Sequence, residues 1–506
     1  MPKYLLFPVN DSLPKATFYV KAGGRTVSDF TAAYDPANPR FDAYVDVTRF
    51  GDCVITDASG DPLSLQTADR LPTVDEIPGG GVLRPAVHYT ATLGWTNDPN
   101  GLIYADGTYH MFAQHNPMST DWGNMTWDHA ISPDLLHWTD LGDVLFPDET
   151  GTMFSGSAIC DEKNAAGFGA GTILLFYTAA GDHSELSRGV PFTQCLAYST
   201  DGGKTFEKYA GNPIIPHIVG ANRDPKVQWS DELGRYTLSL YLDGNDYAIF
   251  SSADLLHWTR FCTLTMPLDN ECPDFYPLPL DGGVKWVFSG AHDSYLVGEI
   301  RDGTFVPEQA PLPYHIHPGP SYAAQTFSGT GERRIKIAWD NVAAPGAVFH
   351  SQMGFPAEMF LRRVGDTVRL GSLPVREIES IRTPTAHIRR SEVSGTVNVL
   401  DPLPDAAEVC LTFGADSGDF TLSCYGMDLS VSPSANEIRF GGTVAPLTYS
   451  GEMNLWVIFD TLGAEIFADG GLVYATLGQV ADKTQGVRVT GTDMKDLTAD
   501  VYRLKL

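Results

Sequence analysis

Three stretches of the chain repeat one pattern: ISPDLLHW (131–138), YSTDGGKTF (198–206) and SSADLLHW (251–258). Each runs Ser, any residue, Asp, then a turn and an aromatic, and RDGTF (301–305) is a weaker fourth echo. From Asp134 to Asp201, Asp254 and Asp302 the period is about 50 to 65 residues, which suits a four-stranded propeller blade with its loops. The Ser and Asp can bond backbone groups of the turn they open, while the aromatic packs between blades. Strand-like runs lie between the repeats, among them GLIYADGTYHMFAQH (101–115), TILLFYTAA (172–180), YTLSLYL (236–242), KWVFSGA (285–291) and RIKIAWD (334–340). The interval 88–365 has room for about five such blades.

Two flanks break the pattern. Residues 1–80 carry pieces such as TFYVKA (17–22) and AYVDVTRF (43–50), and read as a small β-module. From residue 368 to 506, alternating runs such as NEIRFGG (436–442), LWVIFD (455–460) and VYRLKL (501–506) predict a second antiparallel domain, a β-sandwich. The expected organisation is therefore all-β: a module over 1–80, a five-bladed propeller over 81–367 and a sandwich over 368–506. Neither flank holds a strong chemical motif, so packing and stability are their expected roles ahead of sugar binding.

Composition narrows the partners. Sixty-two acidic against 34 basic residues give a net charge of −28. That field opposes nucleic acid and anionic membranes, whose phosphates need clustered Lys and Arg. It also makes a phosphorylated substrate less natural. No uninterrupted apolar run approaches a membrane-spanning length. The first residues, MPKYLLFPVNDSLP, lack the long apolar stretch and small-residue cleavage site of a secretory leader. The seven cysteines are scattered and odd in number, without a metal-ligand spacing. A cytoplasmic protein with reduced thiols is the expectation, or a secreted one if a leader has been removed. No His/Asp/Glu spacing suggests a catalytic metal, and no cofactor is expected.

Three acidic segments carry the candidate chemistry. In LGWTNDPNGLIYADGTYHMF (93–112), Asn97-Asp98-Pro99-Asn100-Gly101 reads first as a turn, but Trp95 precedes it and an apolar strand follows. That context can hold the Asp98 carboxylate at a pocket floor. In GANRDPKVQW (220–229), Arg223 beside Asp224 is a local ion pair or part of a site. In LDNECPDFYPLPL (268–280), Asp269, Asp274 and burial are expected to raise the pKa of Glu271, as a general acid requires. Cys272 reads as a small buried neighbour. Three acids on separate blades can converge at the mouth of a propeller's channel, where two carboxyl groups about 5 Å apart can act as nucleophile and acid/base across a glycosidic bond.

Taken together, WTNDPNG (95–101), WGNMTWDHAIS (122–132), FSGS (154–157), RDP (223–225), ECPDF (271–275) and SYAAQTF (321–327) resemble glycoside hydrolase family 32, the invertases, inulinases, levanases and fructan exohydrolases. The resemblance spans roughly 85–365 and implies a five-bladed propeller with a C-terminal β-sandwich. It implies Asp98 as nucleophile, Glu271 as acid/base and Asp224 as transition-state stabiliser. It also implies Asn97, Gln114, Trp122, Phe154, Ser155 and Arg223 around a fructosyl unit. Trp127, Tyr322 and Trp339 suit either the site or blade packing, whereas His129 and His137 sit in repeat segments and read as structural. The implied function is release of terminal fructosyl units from sucrose, fructo-oligosaccharides, inulin or levan. A fructosyltransferase, an endo-acting fructanase, an arabinanase-like propeller and a non-catalytic carbohydrate-binding propeller are the alternatives. Linkage preference and oligomeric state are left open. Three positions depart from the family pattern: Thr96, Asp128 in WDHA, and Ala357 in FPAEM (355–359). Asp128 and the N-terminal module are expected to alter the rim on the leaving-group side.

Overall fold

The computed structural model describes residues 3–316, 319–403, 405–447 and 453–506. Its regular elements are strands, with 3₁₀ turns at Val74–Glu76 and Arg376–Ser380 and no α-helix among the described residues. Five sheets, each built on a four-strand meander, follow one another along the chain. Their innermost strands are Gly94–Ala105, Thr152–Asp161, Arg223–Ser230, Asp274–Leu280 and Ser321–Thr326, here numbered blades 1 to 5.

The Ser-x-Asp repeats fall where the sequence places them structurally. Each closes the third strand of its blade, at Thr126–Ser132, Thr193–Ser199 and Asp246–Ser252. Asp134 accepts the amides of Leu136 and His137, and Asp254 those of Leu256 and His257, at 2.8–3.1 Å. RDGTF marks the same corner in blade 4, between Ser294–Arg301 and Thr304–Pro307. The aromatics that follow pack into the seams between blades: Phe206 meets Phe112 edge-on at 5.5 Å and Trp258 meets Phe176 at 6.1 Å, while Phe305 meets Phe275 of its own blade at 5.2 Å within the cluster that packs on blade 3.

The hydrophobic cores lie between neighbouring blades. Ile103, Phe112 and Trp127 of blade 1 pack on Met153, Leu175 and Tyr177 of blade 2. Equivalent clusters join blades 2 and 3, 3 and 4, and 4 and 5. Blade 5 reaches blade 1 through Phe327, Ile335 and Ile337 against Leu102 and Met111. Main-chain bonds complete this closure. Phe349–His350 pairs in parallel with Gly94 and Trp95, and the Ser328 amide donates to Leu102 O at 2.9 Å.

Towards the axis the contacts turn polar. Asn100 Oδ1 accepts the Gly156 amide at 3.0 Å, and Ser157 Oγ donates to Pro225 O at 2.8 Å. The Thr326 amide donates to Asp274 Oδ2 at 2.7 Å, and the buried Lys226 ammonium lies 3.7 Å from the same oxygen. Inner strands therefore carry polar residues that satisfy one another across blades, as buried polar groups must.

The expected propeller boundary at 367 needs correction, because Thr367–Pro374 is the outer strand of blade 5 and pairs with Ala357–Val364 along its length. Beyond it, one continuous sheet doubles over into the sandwich, whose layers share the long paired strands Arg382–Leu400 and Val487–Leu504. Val409, Leu422, Leu429, Val457 and Ile466 are among its core residues. The N-terminal module consists of two three-stranded sheets around Phe7, Phe18 and Phe30, and its core includes Leu93, Met118 and Val348 of the propeller.

A buried ion cluster fastens sandwich to propeller. His88 Nδ1 lies 2.8 Å from Asp460 Oδ2 and its Nε2 lies 3.0 Å from Glu465 Oε1, with all three side chains almost fully enclosed. Asp460 also accepts the amides of Ala86 and Val87. Burial opposes the charged imidazole, but the two carboxylates win and raise the His88 pKa to about 10. A raised folded pKa means that this stability is fully present below the ordinary histidine value and is lost as pH rises through about 10. His88→Ala leaves two buried acids short of their counter-charge and should destabilise the protein by about 3–5 kcal/mol. Denaturant unfolding checks this: the deficit is expected to be large at pH 6 and to shrink towards pH 10.

Candidate active site

One end of the ring gathers the acids. Asp98, Phe154, Ser155, Arg223, Asp224 and Tyr322 all lie near the N-terminal ends of inner strands, and Glu271 lies three residues before the inner strand of blade 4. Strand pairing is irregular at these positions. Register shifts fall between Asn97 and Pro99, Phe154 and Gly156, Arg223 and Lys226, and Tyr322 and Gln325. Each interval omits a residue or two from the ladder, and Asp98, Ser155 and Asp224 are among them. Bulges re-aim side chains in this way at sheet rims. Asp224, Glu271, Cys272 and Ala323 also have positive φ, at 67°, 55°, 35° and 52°. Non-glycine residues hold that conformation only where their surroundings over-determine it. The glycine of FSGS has a different cause: a Cβ on Gly156 would stand 1.8 Å from Phe176 O.

Asp98 sits in a cradle of neutral donors. Ser155 Oγ donates to its Oδ2 at 2.6 Å and Asn97 Nδ2 to its Oδ1 at 3.1 Å. Gln114 holds both donors, accepting from Asn97 Nδ2 at 3.0 Å and donating to Ser155 Oγ at 2.5 Å. Trp95 Nε1 fixes the Asn97 amide at 2.8 Å. Burial raises the Asp98 pKa, and the bonds from Ser155 and Asn97 partly offset it.

Asp224 is almost fully buried. It accepts the Cys272 amide at 3.0 Å, and Arg223 Nε lies 3.7 Å away. Burial pushes its pKa up to about 7, against the pull of Arg223 and with help from the charges of Glu271 and Asp98. The Cys272 thiol lies 3.6 Å from both Asp98 Oδ2 and Asp224 Oδ2. Burial beside two acids pushes that thiol well above its ordinary pKa, so it stays protonated and serves as a donor between them. The small buried neighbour expected from sequence thus touches both carboxylates.

Glu271 has different surroundings. Its side chain is about a third exposed; Arg223 Nη2 donates to Oε1, and Tyr322 Oη donates to Oε2 at 2.7 Å. Asp269 and Asp274, expected to act on it, face elsewhere. Asp269 turns away to accept the amides of Asn270, His292 and Ser294, and Asp274 faces Thr326 and Lys226. Asp269 thus pins a loop and Asp274 ties inner strands of neighbouring blades, and neither addresses Glu271.

These groups open on a cavity of about 400 Å³. Asn97, Asp98, Gln114, Trp122, Phe154, Arg223, Asp224, Glu271, Tyr322 and Trp339 line it, while Ser155 acts from behind through Asp98. Trp127 does not reach it: it is fully buried, and its Nε1 donates to Phe154 O. His129 stacks on Phe112 in the core, and His137 caps its repeat turn through Asp134. His183, Phe192 and Ala221 also line the cavity and went unforeseen. His183 meets Phe154 edge-on at 4.9 Å, but no motif surrounds it in the sequence. Asp128 does not alter the rim as its sequence position suggests. It is buried within the third strand of blade 1, accepts from Tyr89 Oη at 2.7 Å and does not line the cavity. Beside it lie His115 and Asp143, a metal-capable grouping that chain spacing does not announce. His115 Nδ1 faces Asp143 at 2.7 Å and Nε2 faces Leu93 O at 2.8 Å, with its pKa raised to about 10, so both nitrogens donate and the group is an ion pair.

Fold and site together define a five-bladed propeller with three acids gathered at one end of the ring, followed by a β-sandwich. The model of the glycosyl hydrolases family 32 N-terminal domain matches residues 88–369, and the chain belongs to that family. It is 30% identical to a levanase of Bacillus subtilis over 77% of this chain and 65% of that one. It is 34% identical to an invertase of Schizosaccharomyces pombe over 56% and 53%. The chain thus spans about two thirds and one half of these two relatives. The crystal structure of an exo-inulinase from Aspergillus awamori superposes with a TM-score of 0.77 at 26% identity, covering 84% of this chain and 99% of that one.

The buried Asp224 carries a stability cost that can be measured. Its folded pKa near 7 lies above its unfolded value, so the unfolded chain gives up this proton first and stability falls as pH rises from about 4 to 7. Asp224→Asn is expected to raise the unfolding temperature at pH 7.5 by more than at pH 5, as read by calorimetry at both values.

Proposed function

We propose that this protein is a retaining β-fructofuranosidase, releasing terminal fructosyl units from sucrose and fructo-oligosaccharides. The observation that carries this reading is the contrast between two carboxyl groups on one cavity. Asp98 is part-buried and oriented by the neutral donors Ser155 and Asn97, whereas Glu271, about a third exposed, is held by the charged Arg223 and by Tyr322. In a retaining mechanism the first attacks the anomeric carbon and the second protonates the leaving oxygen, then activates water against the covalent intermediate. Asp98 suits attack because its lone pairs are aimed by fixed donors. Glu271 suits proton exchange because it meets the open side of the cavity.

Asp224 and Arg223 support the fructosyl ring in this scheme. Asp224 accepts ring hydroxyls, and its charge gains value as oxocarbenium character develops at the adjacent carbon. Trp122, Phe154 and Trp339 supply apolar faces for the sugar, and Gln114 and Asn97 keep the nucleophile from rotating. The names of the related levanase, invertase and exo-inulinase support the same substrate class.

Two substitutions test the roles. Asp98→Asn should lower sucrose turnover by roughly 10⁴-fold or more while the fold is retained; substantial residual hydrolysis would exclude Asp98 as nucleophile. Glu271→Gln should impair sucrose, with its poor leaving group, far more than an activated aryl fructoside. Equal losses on both substrates would count against the acid role.

A further inference from the structure

The N-terminal module reaches a cleft beside the active site. A second cavity, of about 410 Å³, adjoins the first, and Trp122 and His183 line both. Thr17, Asp29 and Thr31 of the module line it together with Asn124, Asp182 and Arg188 of propeller loops. The junction is built and not incidental. Asn124 Oδ1 accepts the Thr31 amide at 2.8 Å, and its Nδ2 returns a bond to Thr31 O at 2.8 Å. Asp29 accepts the amides of Glu185 and Leu186 at 2.9 and 3.1 Å, fixing the loop that carries His183.

Resting on the fructosidase reading, we propose that this cleft is an accessory glycan subsite that takes the outer sugar units of an oligosaccharide seated in the catalytic cavity. Its size is that of a small-molecule cleft. Its lining suits a neutral polyol: hydroxyls from Thr17, Thr31 and Ser184 stand among charged groups that donate and accept. Asp29, Asp182 and Glu185 outnumber Arg188, which is itself paired with Glu185, so an anionic ligand is disfavoured. Trp122 is 48% exposed at the shared wall and offers a sugar-stacking face. A disaccharide is too short to fill both cavities, so the cleft distinguishes substrates by chain length.

The test compares kcat/KM for sucrose with that for fructan tetrasaccharides of β-2,1 and β-2,6 linkage, in the full chain. Thr31→Trp, which fills the cleft, should lower kcat/KM for at least one tetrasaccharide by about tenfold and leave sucrose within about twofold. Arg188→Ala removes an exposed side chain without burdening the fold, and should shift the same ratio in the same direction. Losses that are equal for sucrose and tetrasaccharides, or ratios unchanged in both variants, would overturn the subsite. A wild-type protein that cleaves none of these fructosides would instead overturn the fructosidase reading itself.

Discussion

Holding two desolvated carboxylates side by side at the mouth of the ring is the constraint on which the rest of this structure depends. Desolvation raises the pKa of both Asp98 and Asp224. Left alone, such groups would take up protons and lose their charge. Donors must therefore be brought to them from several directions: Ser155 from blade 2, the Cys272 amide from the approach to blade 4, and Asn97 and Arg223 from their own strands. No regular strand offers side chains at those angles. The inner strands bulge at the site, and four non-glycine residues there take positive φ. Strain of this kind costs on the order of 1–3 kcal/mol per residue and persists only inside a rigid frame.

The ring supplies that frame. Each blade buries its apolar faces against its neighbours, so no blade can shift without opening a core. The last blade is tied to the first by main-chain bonds at both ends of the Gly94–Ala105 strand. The flanking domains add fastening at specific points. The sandwich grips the segment before blade 1 through His88, Asp460 and Glu465, while the module holds the loops around Asn124 and Glu185. Asp269 does the same locally, tying the Glu271 approach to the loop at His292 and Ser294.

Much of this was legible in the chain. The Ser-x-Asp corners show in sequence because a turn and its aromatic plug are local, and even the weak echo at RDGTF marks the corresponding corner. The acids and most cavity-lining side chains stand in recognisable motifs for the same reason. Tyr322 and Trp339, which suited either role in sequence, line the cavity, whereas Trp127 packs in the core. His183 was invisible because it depends on a loop held from another domain. Asp128 was misplaced because alternation along a strand does not say which face the neighbouring blade covers. The boundary at 367 cut a strand because repeat spacing sets a period and not an end.

The sequence by itself determined the blade repeat, the order of the motifs and the identity of the acids, since each is written in residues close together in the chain. Only the tertiary structure decided the environment of each acid. Asp269 and Asp274 stand beside Glu271 in sequence and face away from it, while Cys272, expected only to fill space, bridges Asp98 and Asp224. The tertiary structure also decided that the N-terminal module borders the cleft adjoining the cavity. The physical reason is that desolvation, ion pairing and cavity shape arise from groups tens to hundreds of residues apart, and proximity of that kind exists only once the ring has closed.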